Sequence, residues 1–313
     1  MFYKIDNFSE ENLITVTDIG DYSLKDTFEC GQCFRYEEVK KEENYTEHMT
    51  VVKDKVIRVG QQKIGELIFH DICEEDFLKI CVPYFSLDTD YEEIRHDILG
   101  RTDSAWLTDA AECAKGIAIL RQDPWETLFS FIISQNNNIP RIRKIIKKLS
   151  IEYGVNISLQ NKAEKCPANK TDATPCEEIC KECGCCYTFP TAAAVCENPE
   201  KLLAANPGFR YKYLCDAAKK VDTGAIDLDK ILNAHSYDFT VSELTKINGV
   251  GPKVAACCAL FGFGNLEAFP IDVWMKRAID TYFDGHLDPL TLGKYAGVAQ
   301  QYIFHYIRNI EDN

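Results

Sequence analysis

The sequence has no apolar run of the roughly 18 residues that a membrane-spanning helix requires, and its longest run, Val254–Phe263, suits a buried helix. The N-terminus has no basic segment followed by an apolar core, so we expect no secretory signal and a cytoplasmic, intracellular protein. Positive charge is also scarce, because 35 Lys and Arg residues stand against 49 Asp and Glu residues. This balance argues against a general nucleic-acid coat protein.

The negative charge is distributed unevenly along the chain. Residues 1–120 contain 13 Lys and Arg against 26 Asp and Glu, so nearly all of the net charge of −14 lies there. The remaining residues are close to neutral and include a basic run. This run comprises Arg141, Arg143, Lys144, Lys147 and Lys148. Such a patch can neutralise a few phosphates although the whole chain is acidic, so binding to a short stretch of duplex is not excluded.

Cysteines are numerous for a cytosolic protein of this size, 15 in all, and six of them lie between Cys166 and Cys186. Without a secretory signal we expect reduced thiols or metal ligands and not disulfides. Their spacing is dense enough for zinc or an iron–sulfur cluster. The candidate zinc ligands are Cys176, Cys180, Cys183 and either Cys185 or Cys186. The alternative is a plain insertion, at about residues 155–187, that carries free thiols.

The chain divides into a strand-rich part and a helical part. In residues 1–82, short runs of valine, isoleucine and aromatic residues alternate with charged or glycine-containing turns, which predicts a meandering antiparallel sheet. From Tyr91 onward the apolar periodicity is helical, and Ile139–Tyr153 is a basic amphipathic helix. We therefore predict an α+β protein with a sheet domain at residues 1–118 and a helical domain at residues 119–313.

The most specific chemical pattern follows Leu244. Gly249 and Gly251 let the backbone turn tightly and approach a phosphate, because neither residue has a Cβ atom. Lys253 lies in the first turn of an apolar helix, where the helix dipole and partial desolvation favour the neutral, nucleophilic amine. Asp272 precedes another helical pattern and is placed as its N-cap.

This pattern resembles the signature of the helix-hairpin-helix, Gly/Pro-Asp DNA glycosylase superfamily, with the hairpin at about residues 239–262. The lysine is typical of the branch that removes a base and also nicks the strand. Further segments, in family order, resemble the 8-oxoguanine DNA glycosylase family. They are residues 30–36, 116–142, 206–213 and 295–304. The resemblance implies a TATA-binding-protein-like antiparallel sheet set against an all-helical glycosylase domain. Trp274 stands where animal members have histidine and is similar to the bacterial form.

The resemblance also implies roles for individual residues. Lys253 would attack the sugar at C1′, and Asp272 would stabilise cationic charge there. The residues implied to bind the extruded base are Gly31, Cys257, Gln300 and Phe304. Those implied to contact DNA are Asn136, Arg141, Phe209, Arg210, Gly249 and Gly251. A monovalent cation would be held by backbone carbonyls of Thr245, Ile247 and Val250.

These roles fit the chemistry of base excision. A base must leave the stack before it can be excised, and Asn136 and Phe209 would fill the space that it leaves. The guanidinium groups of Arg141 and Arg210 suit the cytosine left behind, which offers the adjacent acceptors O2 and N3. The lesion differs from guanine by a proton on N7, for which the carbonyl of Gly31 would be the acceptor.

We therefore expect a monomeric, bifunctional DNA glycosylase and AP lyase of base excision repair. Its partner would be duplex DNA with 8-oxoguanine opposite cytosine, and catalysis would require no cofactor. Two alternatives are a glycosylase for another damaged base and a helix-hairpin-helix module that only binds DNA. No cysteine follows Cys258, so the iron–sulfur motif of endonuclease III is missing. The presence of Lys253 and Asp272 argues against the non-enzymatic alternative.

Overall fold

The computed structural model describes residues 1–7, 12–157 and 186–311. The strands are β1 (Phe2–Asn7), β2 (Asn12–Thr17), β3 (Tyr36–Glu42), β4 (Tyr45–Val52), β5 (Lys55–Gln61) and β6 (Leu67–His70). They form a six-stranded antiparallel sheet in the order β1-β2-β6-β5-β4-β3. This arrangement confirms the predicted antiparallel sheet domain.

The sheet buries one face against its own core. Ile14 and Val16 of β2 are fully buried, because alternate residues of a strand point to the same side. They cluster with Phe28 and Phe85 from neighbouring helical segments. Phe28 belongs to helix α1 (Leu24–Glu29), which interrupts the region predicted as strands. This helix was missed because it is short and its start depends on a single capping serine.

Most of the described chain after the sheet is helical. They are α2 (Glu74–Asp76, Phe77–Cys81 in π geometry, and Val82–Tyr84), α3 (Tyr91–Leu99), α4 (Ala105–Cys113), α5 (Pro124–Ser134), α6 (Ile139–Tyr153), α7 (Ala192–Glu197), α8 (Tyr211–Asp222), α9 (Leu228–Ala234), α10 (Tyr237–Leu244), α11 (Pro252–Gly262), α12 (Val273–Tyr282) and α13 (Ala296–Glu311). Shorter 3-10 turns occupy Pro199–Ala205, Gly208–Arg210 and Pro289–Tyr295. Among the described helices, none is long and apolar enough to cross a membrane.

Local signals explain where the central helices begin. Asp123 accepts a hydrogen bond from the Glu126 N–H at 2.8 Å, so it caps α5, whose first residue is a proline. Asn138 caps α6 in the same way, accepting from the Arg141 N–H at 3.0 Å. Helix α6 spans the residues predicted for the basic amphipathic helix.

A separate core lies among the helices, and an extended segment joins it to the sheet core. Ile117 and Ile119 belong to the helical core, whereas Ala118 and Leu120 belong to the sheet core. Alternate residues of this segment therefore face the two cores. The apolar face of α13 lies in the helical core, and Tyr302 is fully buried there.

Candidate active site

The hairpin consists of α10 and α11 and the turn between them, which overlaps the predicted range. Gly249 in the turn has φ +82°, a conformation that favours glycine. A Cβ atom at this position would lie 2.4 Å from the ring of Tyr213, so the turn packs directly on α8. Gly251 is the N-cap of α11 in an extended conformation, and Pro252 is its first residue.

A carboxylate of α8 holds the same turn. Asp216 Oδ2 accepts hydrogen bonds from the Asn248 N–H and from Lys220 Nζ, each at 2.8 Å. Lys220 Nζ also donates to the carbonyl of Lys246, at 2.6 Å. Burial opposes the charge of Asp216, but the hydrogen bonds outweigh it and hold the pKa of this carboxyl below its usual value. Sequence reasoning missed these contacts with the turn, because Asp216 and Asn248, like Lys220 and Lys246, lie far apart in the chain.

Lys253 and Asp272 lie where the sequence predicts them. Lys253 follows Pro252 in the first turn of α11, and its Nζ lies 5.6 Å from the ring centroid of Phe131. Asp272 caps α12, with Oδ1 accepting from the Met275 N–H at 2.8 Å. The predicted N-cap is therefore confirmed, and it leaves the second carboxylate oxygen of Asp272 for other interactions.

One small cavity brings the predicted base-binding and catalytic residues together. Its volume is about 50 Å³. Its lining comprises Cys30, Gly31, Phe131, Lys253, Cys257, Phe261, Pro270, Asp272, Gln300, Gln301 and Phe304. These residues come from α5, α11, α13 and the loops after α1 and α11. Lys253 and Asp272 thus share one space with the four residues implied to bind the base. The sequence analysis did not name Phe131 and Gln301, whose apolar or buried positions suit core packing equally well.

Cys257 lies one helical turn after Lys253 and is 4% exposed. Burial raises the pKa of its thiol to about 11, and the neighbouring Lys253 ammonium only partly opposes this effect. The thiol is therefore protonated at neutral pH. It offers the cavity a small, polarisable wall against which a planar group can stack.

Gly31 and Phe304 lie beside each other in the lining of the cavity. Gly31 has φ +82°, and a Cβ atom there would lie 3.5 Å from Cε1 of Phe304. The adjacent Gln32 is fully buried and anchors this loop. Its Nε2 donates to the carbonyls of Thr27 and Ala118, each at 2.8 Å.

The asparagine turn after α5 is held by Arg210. Asn136 has φ +46°, a left-handed conformation that asparagine tolerates. The Arg210 guanidinium donates to the carbonyls of Gln135 and Asn136 and to that of Pro207. Arg210 is only 2% exposed, and burial lowers its pKa, with the charge of Arg141 adding to this effect. The two arginines are therefore neighbours, but Arg210 is largely engaged in holding the turn.

Phe209 and Arg141 are the accessible members of this group. The side chain of Phe209 is 51% exposed, although phenylalanine is usually buried, and its ring centroid lies 4.5 Å from Cζ of Arg210. Arg141 is exposed in the first turn of α6. Asn136 of the turn, the aromatic ring of Phe209 and the side chain of Arg141 thus form one exposed group of residues.

A larger cavity, of about 460 Å³, lies between the β3–β4 edge of the sheet and α6. Three cations of the basic run, Arg143, Lys144 and Lys147, contribute to its lining. The Glu37 carboxylate forms ion pairs with two of these cations, at 3.3 Å from Arg143 and 3.7 Å from Lys147. An excess of positive charge remains in this groove.

Three of the predicted zinc ligands, Cys176, Cys180 and Cys183, lie outside the described residues. Cys186 is buried, and its carbonyl accepts from the Ile157 N–H at 2.8 Å. Within residues 1–7, 12–157 and 186–311, no group of His, Cys, Asp and Glu side chains is arranged to hold a metal ion.

The three residues implied to bind a monovalent cation all lie in the hairpin turn. They are Thr245, Ile247 and Val250. The Ile247 carbonyl accepts from the Val250 N–H at 3.0 Å, so part of its capacity is used within the turn.

A lysine at the start of the second hairpin helix, an aspartate that caps the next helix and a slot between a sheet loop and the last helix together define a helix-hairpin-helix DNA glycosylase. A family model, "8-oxoguanine DNA glycosylase, N-terminal domain", matches residues 14–128. The solved structure of MBOgg1 with a low-affinity DNA ligand is 35% identical and has a TM-score of 0.81, covering 99% of this chain and 100% of its own. The chain belongs to the 8-oxoguanine DNA glycosylase family.

Two further relatives agree with this assignment. The 8-oxoguanine glycosylase/lyase of Clostridium acetobutylicum was solved with duplex DNA containing cytosine opposite 8-oxoG. It is 30% identical with a TM-score of 0.79, covering 98% of each chain. The N-glycosylase/DNA lyase of Saccharomyces cerevisiae is 28% identical over 278 residues, which is 82% of this chain and 67% of the yeast protein.

Proposed function

We propose that this protein excises 8-oxoguanine from duplex DNA, preferably opposite cytosine, and then cleaves the strand at the resulting abasic site. The cavity carries this proposal, because it joins Lys253 and Asp272 to Gly31, Cys257 and Phe304 in one space. A nucleophile, a carboxylate and two surfaces on either side of a planar slot are the groups that excision of an extruded purine needs.

The chemistry is assigned to Lys253 and Asp272. As Lys253 Nζ forms a bond to C1′, the bond between C1′ and N9 breaks, and the base leaves with the electron pair and takes up a proton. Loss of a proton from nitrogen and opening of the sugar ring give an imine. Removal of a proton at C2′ then breaks the C3′–O bond on the 3′ side. The Asp272 carboxylate stabilises the positive charge that develops on the sugar.

The exposed group of residues around Asn136 is assigned to DNA binding. Phe209 and Asn136 occupy the space of the extruded base, and Arg141 donates to the cytosine left behind. Arg210 holds the Asn136 turn in place. A guanidinium N–H that is not used in this contact can also donate to the cytosine. The glycines of the hairpin turn allow a backbone phosphate of the DNA to approach. We further propose that the carbonyls of Thr245, Ile247 and Val250 hold a monovalent cation in this turn.

The cellular setting is part of the same proposal. We infer a monomeric, cytoplasmic enzyme of bacterial type that reaches the nucleoid through its DNA substrate. No cofactor takes part in the proposed chemistry, because the nucleophile and the stabilising carboxylate are both side chains. A structural zinc in the Cys-rich insertion remains a separate hypothesis.

Borohydride trapping on duplexes with single defined lesions tests the function. The protein should form a covalent adduct and cut DNA that contains 8-oxoguanine, in preference to DNA with an oxidised pyrimidine or an alkylated purine. Lys253→Gln should abolish the adduct and the cleavage while DNA binding persists. Lys219→Gln, at an exposed lysine of α8, serves as the matched control. Trapping by the Lys253→Gln protein at the normal rate would disprove the assignment of the nucleophile.

A further inference from the structure

Two consecutive glutamines of α13 form part of the cavity wall. Gln300 and Gln301 are 3% and 4% exposed, and both line the cavity. Nε2 of Gln301 donates a hydrogen bond to Oε1 of Gln300, at 2.7 Å. Oε1 of Gln301 is buried and accepts no hydrogen bond from any described residue. A buried acceptor without a partner is uncommon in folded proteins.

One carboxamide alone does not distinguish the two purine edges. It carries an acceptor and a donor side by side, and a half-turn about its last torsion exchanges them. The guanine edge presents the acceptor O6 beside the donor N1–H, whereas the adenine edge presents an amino donor beside the acceptor N1. A glutamine that turns freely can therefore pair with either edge, and selectivity requires that its orientation be held.

We propose that Gln301 is a positioning residue that fixes the Gln300 carboxamide and thereby makes the cavity selective for a guanine-type edge. The Nε2 of Gln301 needs an acceptor, so it keeps Oε1 of Gln300 on its own side. The reversed orientation would place two donors against each other in a buried site, which is unfavourable. The inference rests on the proposed function, because it concerns the same cavity and the same purine lesion.

The pair then presents a row of groups that complements the guanine edge. Gln300 Nε2 donates to no described residue, so it can donate to O6. The second lone pair of Gln300 Oε1 can accept from N1–H. The order donor-acceptor of the Gln300 carboxamide matches the acceptor O6 and the donor N1–H of the guanine edge and opposes the adenine edge.

The test compares excision of 8-oxoguanine with excision of 8-oxoadenine from otherwise identical duplexes under single-turnover conditions. Gln301→Met keeps the length of the side chain but removes its hydrogen bonds, so the 8-oxoguanine preference should fall by about tenfold, as expected for one hydrogen bond lost from recognition. Gln301→Glu cannot donate to Gln300 and should turn the Gln300 amide around. We expect this variant to lose more of the 8-oxoguanine activity and to gain relative activity on 8-oxoadenine.

Further measurements separate positioning from a purely structural role. The loss of preference should be seen in the DNA concentration that gives half-maximal excision more than in the maximal rate. The urea midpoint of each variant shows whether the protein remains folded. In a Gln300→Met background, Gln301→Met should change the lesion preference little, because no amide remains to be oriented. If a folded Gln301→Met variant loses both activities equally, the residue is structural and the inference is wrong.

The outcome for the unmodified protein distinguishes this inference from the proposed function. If the unmodified protein does not excise 8-oxoguanine, the proposed function fails and the inference fails with it. If it excises 8-oxoguanine with a preference that neither Gln301→Met nor Gln301→Glu alters, only the inference is overturned.

Discussion

Gly249→Ala should destabilise the protein through a contact that the structure makes explicit. The residue has φ +82°, which costs an L-residue about 1–2 kcal/mol. Its new Cβ atom would lie 2.4 Å from the ring of Tyr213, and such overpacking costs about 1–3 kcal/mol. The reduced freedom of the unfolded chain returns about 0.4–1 kcal/mol. We therefore expect the free energy of unfolding to fall by about 1–5 kcal/mol.

Urea denaturation followed by circular dichroism measures this loss, and Gly251→Ala is the matched control. Gly251 has φ −92°, and no heavy atom lies within 4 Å of its Cβ position. A weaker N-cap and a less flexible unfolded chain should nearly cancel there. A loss of DNA affinity in Gly251→Ala would then come from the approaching phosphate alone.

A second substitution identifies the source of the strain. Tyr213→Leu, combined with Gly249→Ala, should recover the part of the loss that comes from overlap with the ring, but not the part that comes from the backbone angle. The reasoning is refuted if Gly249→Ala unfolds at the same urea concentration as the unmodified protein, or if Gly251→Ala is equally destabilising.

Three further predictions concern other parts of the molecule. Arg141→Met should reduce the preference for cytosine opposite the lesion, at a cost of about 1–3 kcal/mol, in cleavage assays with each of the four opposite bases. Equal rates opposite all four bases for the unmodified protein would contradict this prediction. Asp216→Asn should lower stability at neutral pH, because the pKa of Asp216 is held below its usual value. The stabilisation is present above the unfolded pKa of about 3.9 and is lost as pH falls through the folded pKa, so urea midpoints of the two proteins should converge below about pH 4. Elemental analysis should find about one zinc ion per chain, lost in Cys180→Ser and Cys183→Ser with excision retained; a metal content near zero would leave the insertion without a metal role.

The local features of the site could be predicted from the sequence because short-range physics determines them. A proline at the first position of α11 and the aspartate before α12 indicate helix starts, and both are found where predicted. The order of strands before helices gave the α+β class, because alternation and helical periodicity are visible within a few residues. The helix α1 shows the limit of this reasoning, because a six-residue helix has too few positions to display a period.

Which residues meet at the cavity depended on the tertiary structure. Gly31, Lys253 and Phe304 meet only because the loop after α1, helix α11 and helix α13 come together around the cavity, and no local pattern specifies that packing. The position of Arg210 has the same cause. The sequence suggests that this residue binds cytosine, but it lies buried against the carbonyls of the Asn136 turn. The sequence by itself determined the reactive groups and the helix starts, because these depend on neighbours along the chain. The tertiary structure decided which groups share a space and which polar atoms, such as Oε1 of Gln301, remain without a partner, because burial and hydrogen bonding depend on distant residues.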